Sequence, residues 1–207
     1  MKKINQIIAA GIISLAATQA SAGVITVGNE LLDRSTSDGW NDFAIGLTEE
    51  VLPTGKITSW STYIERFEGG NDTTIALLAL RNTGGSSWSV VGVDEENVSG
   101  TGLQGSFDAN IDVLAGDILA IWMTDAKVSF DYTSDAVNWS QGGNYQVSEA
   151  PLIGEIFDLN HGGDAGNGQR TYSLQATVET VDVPEPSSLG LLGLGLAGLG
   201  MVRRRNK

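Results

Sequence analysis

An alternation of apolar and polar residues runs through the middle of the chain and is clearest at residues 170–179. In this segment the apolar residues Tyr172, Leu174, Ala176 and Val178 alternate with the polar residues Thr171, Ser173, Gln175 and Thr177. Successive side chains of a β-strand point to opposite faces, so one face of this segment is apolar and the other is polar. The pattern predicts a half-buried antiparallel strand.

Two further segments predict strands that are buried to different depths. Residues 127–132 alternate in the same way, which predicts that Val128, Phe130 and Tyr132 point inward. Residues 118–123 are apolar at every position, and such a run predicts a central strand that is covered on both faces.

Shorter patterns predict six more strands, separated by turns that are rich in Gly, Asn and Asp. These strands lie at residues 24–27, 56–65, 73–81, 87–93, 105–114 and 151–159. The acidic stretch 94–97 predicts a solvated turn, and residues 28–52 predict a loop from which Trp40, Phe43 and Ile45 return to the core. Many short strands and no long helical period predict an all-β fold, an antiparallel β-sandwich that is jelly-roll-like, with an immunoglobulin-like arrangement as the alternative.

The first 22 residues have the three parts of a secretory signal peptide. A short basic start, Lys2 and Lys3, precedes an apolar segment at residues 7–17. Ala20 and Ala22 then supply the small side chains that signal peptidase requires. We therefore expect an N-terminal signal helix that signal peptidase removes, so that the mature chain begins at Gly23.

The last residues of the chain carry three consecutive signals. Pro184 and Pro186 hold their neighbours in an extended conformation. Residues 187–202 then carry no charge, and a basic cluster follows, which comprises Arg203, Arg204 and Arg205. An uncharged run that ends in a basic cluster predicts a membrane helix with its basic end in the cytoplasm. The run would span roughly 24 Å, less than the roughly 30 Å of a hydrocarbon core, which suits a transient sorting helix.

The motif Val183, Pro184, Glu185, Pro186 and Ser187, with the Leu/Gly-rich run and the basic cluster behind it, resembles the PEP-CTERM sorting signal of Gram-negative bacteria. The resemblance implies that an exosortase, a membrane cysteine transpeptidase, recognises the tail and cleaves it near the Pro-Glu-Pro sequence. It also implies an exported protein, often from bacteria that make exopolysaccharide. The predicted organisation is a signal peptide at 1–22, a β-sandwich domain at 23–182 and a sorting signal at 183–207.

Composition narrows the function of the 23–182 domain. This domain has six basic and 24 acidic residues, a net charge of −18, and phosphate recognition requires a basic surface, so nucleic acid is excluded as a partner. The chain has no cysteine, which excludes disulfide bonds, cysteine-ligated metals and a cysteine nucleophile. Its length is sufficient for one domain with its own hydrophobic core.

Candidate catalytic and metal-binding residues are few. The single histidine, His161, lies in a Gly-rich loop, and no Gly-x-Ser-x-Gly motif exists to partner it. Glu155 is the nearest residue to an inward-facing strand carboxylate, but no second acid stands out beside it. Asp158, Asn160 and Asp164 offer oxygen ligands for Ca²⁺ at a spacing that matches no EF-hand. We predict no enzyme activity, no cofactor and no metal, with this loop as the calcium candidate.

Tryptophan residues provide the better indication of a ligand. Trp88 and Trp139 lie among small polar residues and turns, and Asn138 precedes Trp139. An exposed indole ring can stack on a sugar while neighbouring amides bond its hydroxyl groups. These three residues are therefore candidates for glycan contact, with core packing as the alternative for Trp139. Trp60 and Trp122 are predicted to belong to the core.

The sequence as a whole predicts a non-enzymatic exported protein, sorted by exosortase through its tail and located at the cell surface or in an extracellular exopolysaccharide matrix. The C-terminal helix is expected to hold the protein in the inner membrane before processing. A carbohydrate-binding module with a defined glycan ligand is the alternative, and a secreted glycoside hydrolase is the third hypothesis.

Overall fold

The computed structural model describes residues 23–34, 36–39, 41–70, 72–136, 138–141, 149–159 and 169–181. Within these residues the secondary structure consists of strands and turns, without a helix. The strands are β1 (Gly23–Gly28), β2 (Phe43–Val51), β3 (Gly55–Phe67), β4 (Asp72–Gly84), β5 (Ser87–Ser99), β6 (Gly102–Val113), β7 (Ile118–Met123), β8 (Ala126–Val128), β9 (Phe130–Ala136), β10 (Asn138–Gln141), β11 (Ile156–Asp158), β12 (Gln169–Tyr172) and β13 (Leu174–Thr180). The predicted all-β class is confirmed, whereas both predicted flanking helices lie outside the described residues.

The strands form two larger sheets and a short ribbon, and their pairing is antiparallel. The first sheet has the order β1-β13-β3-β6, with β8 also paired to β3. The second sheet has the order β10-β2-β7-β4-β5-β11, and β9 pairs with β12 in the ribbon. Because β3 and β13 are central in the first sheet, the last strand of the domain is an interior one.

The main hydrophobic core lies between the two sheets. Ile57 and Trp60 of β3 are buried against residues of the second sheet such as Ile75, Leu77 and Ile121. The indole nitrogen of Trp60 donates a 2.6 Å hydrogen bond to Asp94 Oδ2 at the edge of this core. A buried indole requires such a partner, so the core position predicted for Trp60 is confirmed together with its polar contact.

A second apolar cluster covers the outer face of the six-stranded sheet. Ile118, Ala120 and Trp122 of β7 belong to it, and Ala150 and Leu159, from the segments that flank β11, cover it. The alternate residues of β7 belong to the main core. Strand β7 is therefore buried on both faces, as its continuous apolar sequence predicted, and the core position of Trp122 is confirmed.

Two serines interrupt strands that were predicted to be continuous. Ser129 separates β8 from β9, and Ser173 separates β12 from β13. Both serines are buried, and the Ser173 amide donates a 2.9 Å hydrogen bond to the Ser129 carbonyl. Arg34 binds both side chains, since its amide donates to Ser129 Oγ at 2.5 Å and its Nε to Ser173 Oγ at 2.9 Å. The two strands thus leave the first sheet at one shared bend.

Several sequence predictions need correction. Tyr132 was predicted to point inward, but it lies in the ribbon beyond the Ser129 bend and is 69% exposed. The acidic stretch 94–97, predicted as a turn, continues β5 and pairs with β4. Residues 43–51, assigned only to a return to the core, form β2, and Trp139, for which no strand was predicted, lies in β10.

Candidate functional site

The two ends of the domain meet on neighbouring strands. Strand β1 pairs with β13 so that Gly23, the predicted first residue of the mature chain, lies opposite Thr180. The Thr180 hydroxyl donates a 3.0 Å hydrogen bond to the Gly23 carbonyl. The Val181 amide continues this contact with a hydrogen bond of 3.3 Å to the Thr54 carbonyl. Gly23 and Val181 are therefore held at the same end of the sandwich, which we call the tail-bearing end.

The residues of the predicted processing signals lie outside the described part of the chain. These are Ala20, Ala22, Val183, Pro184, Glu185, Pro186, Ser187, Arg203, Arg204 and Arg205. Strand β13 ends at Thr180, so only two residues separate it from Val183. None of the described residues belongs to a helix with the length and apolar character that crossing a membrane requires.

The predicted glycan residues lie in two different strands of the six-stranded sheet. Trp88 is half-buried in β5 and packs against the outer apolar cluster. Asn138 and Trp139 lie in the edge strand β10, opposite Gly46 and Ile45 of β2, and their side chains are outside the described part. Packing holds much of the Trp88 ring against its own sheet, so the exposed ring that sugar stacking needs is not found at Trp88.

An exposed aromatic residue is instead found at Tyr132. Its ring meets the ring of Phe130 edge-on, with centroids 5.2 Å apart and an interplanar angle of 85°. The Arg170 guanidinium lies 5.7 Å from the Tyr132 centroid and 4.5 Å from that of Phe130. The ring is thus held in place by an aromatic and a cationic neighbour. The strand alternation assigned Tyr132 to the interior, so no sequence pattern indicated this exposed aromatic surface.

Two carboxyl groups that are distant in sequence also meet. Glu65 of β3 shares a hydrogen bond with Asp33, and the Tyr63 hydroxyl bonds the same carboxylate. Burial, and then the charge and hydrogen bond of Asp33, raises the pKa of Glu65, although Arg66 opposes the shift. The sequence does not predict the contact between Asp33 and Glu65, because Asp33 lies in a loop and the contact depends on the path of residues 29–34.

Only part of the segment with the candidate calcium and catalytic residues lies within the described residues. Asp158 ends β11 with an exposed side chain, whereas Asn160, His161 and Asp164 lie outside the described residues. Glu155 lies in the turn before β11, and its Oε2 atom is buried without a hydrogen-bond partner. In the described ranges, no group of three or more His, Asp or Glu residues is arranged to hold a metal ion.

Comparison with known proteins identifies the tail. Residues 182–205 match the family model of the PEP-CTERM protein-sorting motif, which confirms the resemblance drawn from the sequence. This match begins directly after Val181, the last described residue. No curated protein and no solved structure matches the chain.

Proposed function

From the PEP-CTERM protein-sorting motif, which implies export, sorting to the cell surface and exosortase as the processing partner, we propose that the chain is a non-enzymatic protein of the cell surface or extracellular matrix. The observation that carries the proposal is the position of the motif, immediately behind the interior strand β13. Signal peptidase acts first, and the uncharged run then holds the chain in the inner membrane until exosortase cuts near Pro184–Pro186.

The arrangement of the carboxyl groups supports a non-enzymatic domain. Glycoside hydrolases place their two acids roughly 5–9.5 Å apart, with room for a sugar or water between them. Asp33 and Glu65 are instead close enough for a hydrogen bond between their side chains, and the Tyr63 side chain also bonds Asp33.

The charge of the domain supports a location in a hydrated matrix. Its net charge of −18 keeps it soluble and disperses it among other polymers. Exopolysaccharide is the polymer we propose as its surroundings, with divalent cations as the bridge wherever that polymer is also acidic.

Deletion of the exosortase gene in the native host tests the proposal. We expect the uncut chain to accumulate in the inner-membrane fraction, while the parent strain releases a shorter form to the surface or the exopolysaccharide. Recovery of the same short form from both strains would contradict sorting by exosortase. Digestion of the exopolysaccharide with a specific hydrolase should release the processed form, and a form that remains on washed cells would contradict the matrix location.

A carbohydrate-binding module is the second candidate, and one observation favours it. The Tyr132 ring is exposed and is supported by Phe130 and Arg170, which makes it a fixed aromatic surface. A glycan array probed with the exported protein, with and without Ca²⁺, tests this candidate. Loss of glycan binding in Y132A but not in W88A would assign the binding site to Tyr132. An array without any signal would contradict the carbohydrate-binding candidate.

A further inference from the structure

The tail-bearing end carries a group of exposed apolar side chains. Val51, Leu114 and Val181 are 61%, 51% and 63% exposed, and Val24 on the neighbouring edge strand is 70% exposed. Single exposed hydrophobic residues are ordinary, but a cluster at one end marks an interaction surface. We call these four residues the apolar rim.

Backbone hydrogen bonds hold the segments of the apolar rim together. The Thr54 carbonyl accepts from the Val181 amide at 3.3 Å, and the Thr54 hydroxyl accepts from the Ala115 amide at 3.0 Å. The Leu52 carbonyl accepts from the Gly116 amide at 3.1 Å, which joins the segment after Val51 to the turn after Leu114. Three of the four rim segments are therefore joined by hydrogen bonds, and the fourth, β1 with Val24, is held by its pairing with β13.

The tail limits how far this end can lie from the bilayer. Leu189, where the apolar run continues beyond the Pro-Glu-Pro motif, lies eight positions after Val181 in the chain. Even a fully extended chain of this length spans at most roughly 28 Å. The geometry points to the apolar rim as a surface that contacts the lipid bilayer before the tail is cut. This inference rests on the proposed insertion of the tail into the membrane.

Charge at this end shows what kind of lipid contact to expect. Glu50, Glu179 and Asp112 lie beside the rim residues in sequence or register. Lys56 forms an ion pair of 3.5 Å with Asp112 and donates a 2.7 Å hydrogen bond to Asn110. Anionic headgroups would be repelled by this acidic border, so the contact depends on apolar burial. Added salt screens the repulsion and should therefore strengthen the contact.

The absence of cysteine from the chain makes single-site labelling direct. V51C and L114C place an environment-sensitive fluorophore on the rim, and T101C places it on the exposed turn between β5 and β6, at the other end of the sandwich. Each variant is exported in cells without exosortase, purified with its tail and reconstituted in vesicles of phosphatidylcholine and anionic phosphatidylglycerol that carry a nitroxide-labelled lipid. Flotation with the vesicles reports tail insertion independently of the fluorophore.

Three outcomes are distinguishable. Flotation with lipid quenching at positions 51 and 114 but not at 101, increasing with salt, supports the proposal. Flotation with equally weak quenching at all three positions overturns it and leaves exosortase, or a second copy of the chain, as the partner of the rim. Failure to float overturns both tail insertion and the inference that rests on it.

A paired substitution tests whether the rim residues themselves make the contact. In the protein labelled at V51C, the added substitutions L114S and V181S should reduce lipid quenching of the fluorophore to the level measured at position 101. L103S is the matched control, because Leu103 is 61% exposed but lies toward the other end of β6. Equal effects of the rim and control substitutions would overturn the assignment. Thermal unfolding verifies that these exposed-site variants remain folded.

Discussion

The Asp38 carboxylate joins two side chains of β12 inside the domain. One oxygen accepts a 2.5 Å hydrogen bond from Arg170 Nη1, and the other accepts one of 2.5 Å from the Tyr172 hydroxyl. Arg66 Nη2 also donates to the Asp38 carbonyl at 2.9 Å. Burial, and then the nearby Asp38 charge, holds the pKa of Tyr172 well above its ordinary value of about 10.

This raised pKa predicts an alkaline limit to stability. The unfolded tyrosine ionises near pH 10 while the folded one stays neutral, so the contribution of Tyr172 is complete below pH 10 and falls as the pH rises further. Y172F should cost about 1–3 kcal/mol at pH 7 through the lost hydrogen bond, but should lose less stability between pH 9 and pH 11. Urea unfolding of both proteins across this pH range checks the prediction. Parallel pH profiles would contradict it.

A second residue-scale prediction concerns Glu96, which continues β5 on the same face as Asp94. Burial raises its pKa first, and the charges of Asp94 and Asp108 add to the shift. An acid with a raised pKa stabilises the fold below that pKa and loses this contribution as pH rises. E96Q should therefore be more stable than the parent at pH 7, by about 0.5 kcal/mol at low salt and less at high salt. E95Q is the neighbouring control, and an equal gain there would contradict a specific carboxylate cluster.

At the scale of elements, the predictable strands are those whose burial follows a simple period. Strand β7 lies between two apolar layers, so its sequence is apolar throughout, and β13 has one buried face. The sequence pattern did not predict the end of β5 because its inward residues Asp94 and Glu96 are charged. The Trp60 indole donates a hydrogen bond to Asp94, and among the described residues this end of β5 pairs with β4 alone. Tyr132 was misplaced because the alternation says nothing of the bend at Ser129, which depends on contacts with Ser173 and Arg34.

The position of β13 between β1 and β3 predicts where the chain can be shortened. A chain that ends after Asp182 keeps both ladders of β13 and should unfold cooperatively with a β-type circular dichroism spectrum. A chain that ends at Ser173 loses the buried Leu174, Ala176 and Val178, and β1 loses its pairing with β13. We expect the shorter chain to be unfolded and rapidly digested by trypsin. Equal resistance of the two chains would contradict the central role of β13.

At the scale of the whole molecule, the parts that sequence alone could predict are the ones that act locally. The sorting motif consists of residues that are adjacent in the chain, so the sequence alone is sufficient to identify it. The Asp33–Glu65 pair and the apolar rim are assembled from segments far apart in the chain, and only strand pairing brings them together. The pairing of Gly23 with Thr180 likewise joins the two ends of the described domain, which are far apart in the sequence.

This arrangement predicts that recognition and retention of the tail depend on different residues. Replacing Pro184, Glu185 and Pro186 with alanine should leave export unchanged but prevent cleavage, because the rigid motif that exosortase reads is lost. Replacing Arg203, Arg204 and Arg205 with serine should instead weaken the membrane stop, since moving arginine into lipid is costly and serine removes that barrier. The size and cell fraction of each variant in the native host measure the two effects.

The two variants control for each other because both retain strand β13 and the complete 23–181 fold. The alanine variant should be full-length and confined to the inner membrane, while the serine variant should be distributed between fractions with a tail that is cut poorly or at another position. In the proposed mechanism, cleavage requires the Pro-Glu-Pro motif to lie at the outer face of the inner membrane, and the basic cluster would set that position by holding the C-terminal end of the uncharged run at the cytoplasmic face. If the alanine variant is cut and released like the parent, cleavage does not depend on the Pro-Glu-Pro motif and the assignment of exosortase as the processing enzyme is wrong.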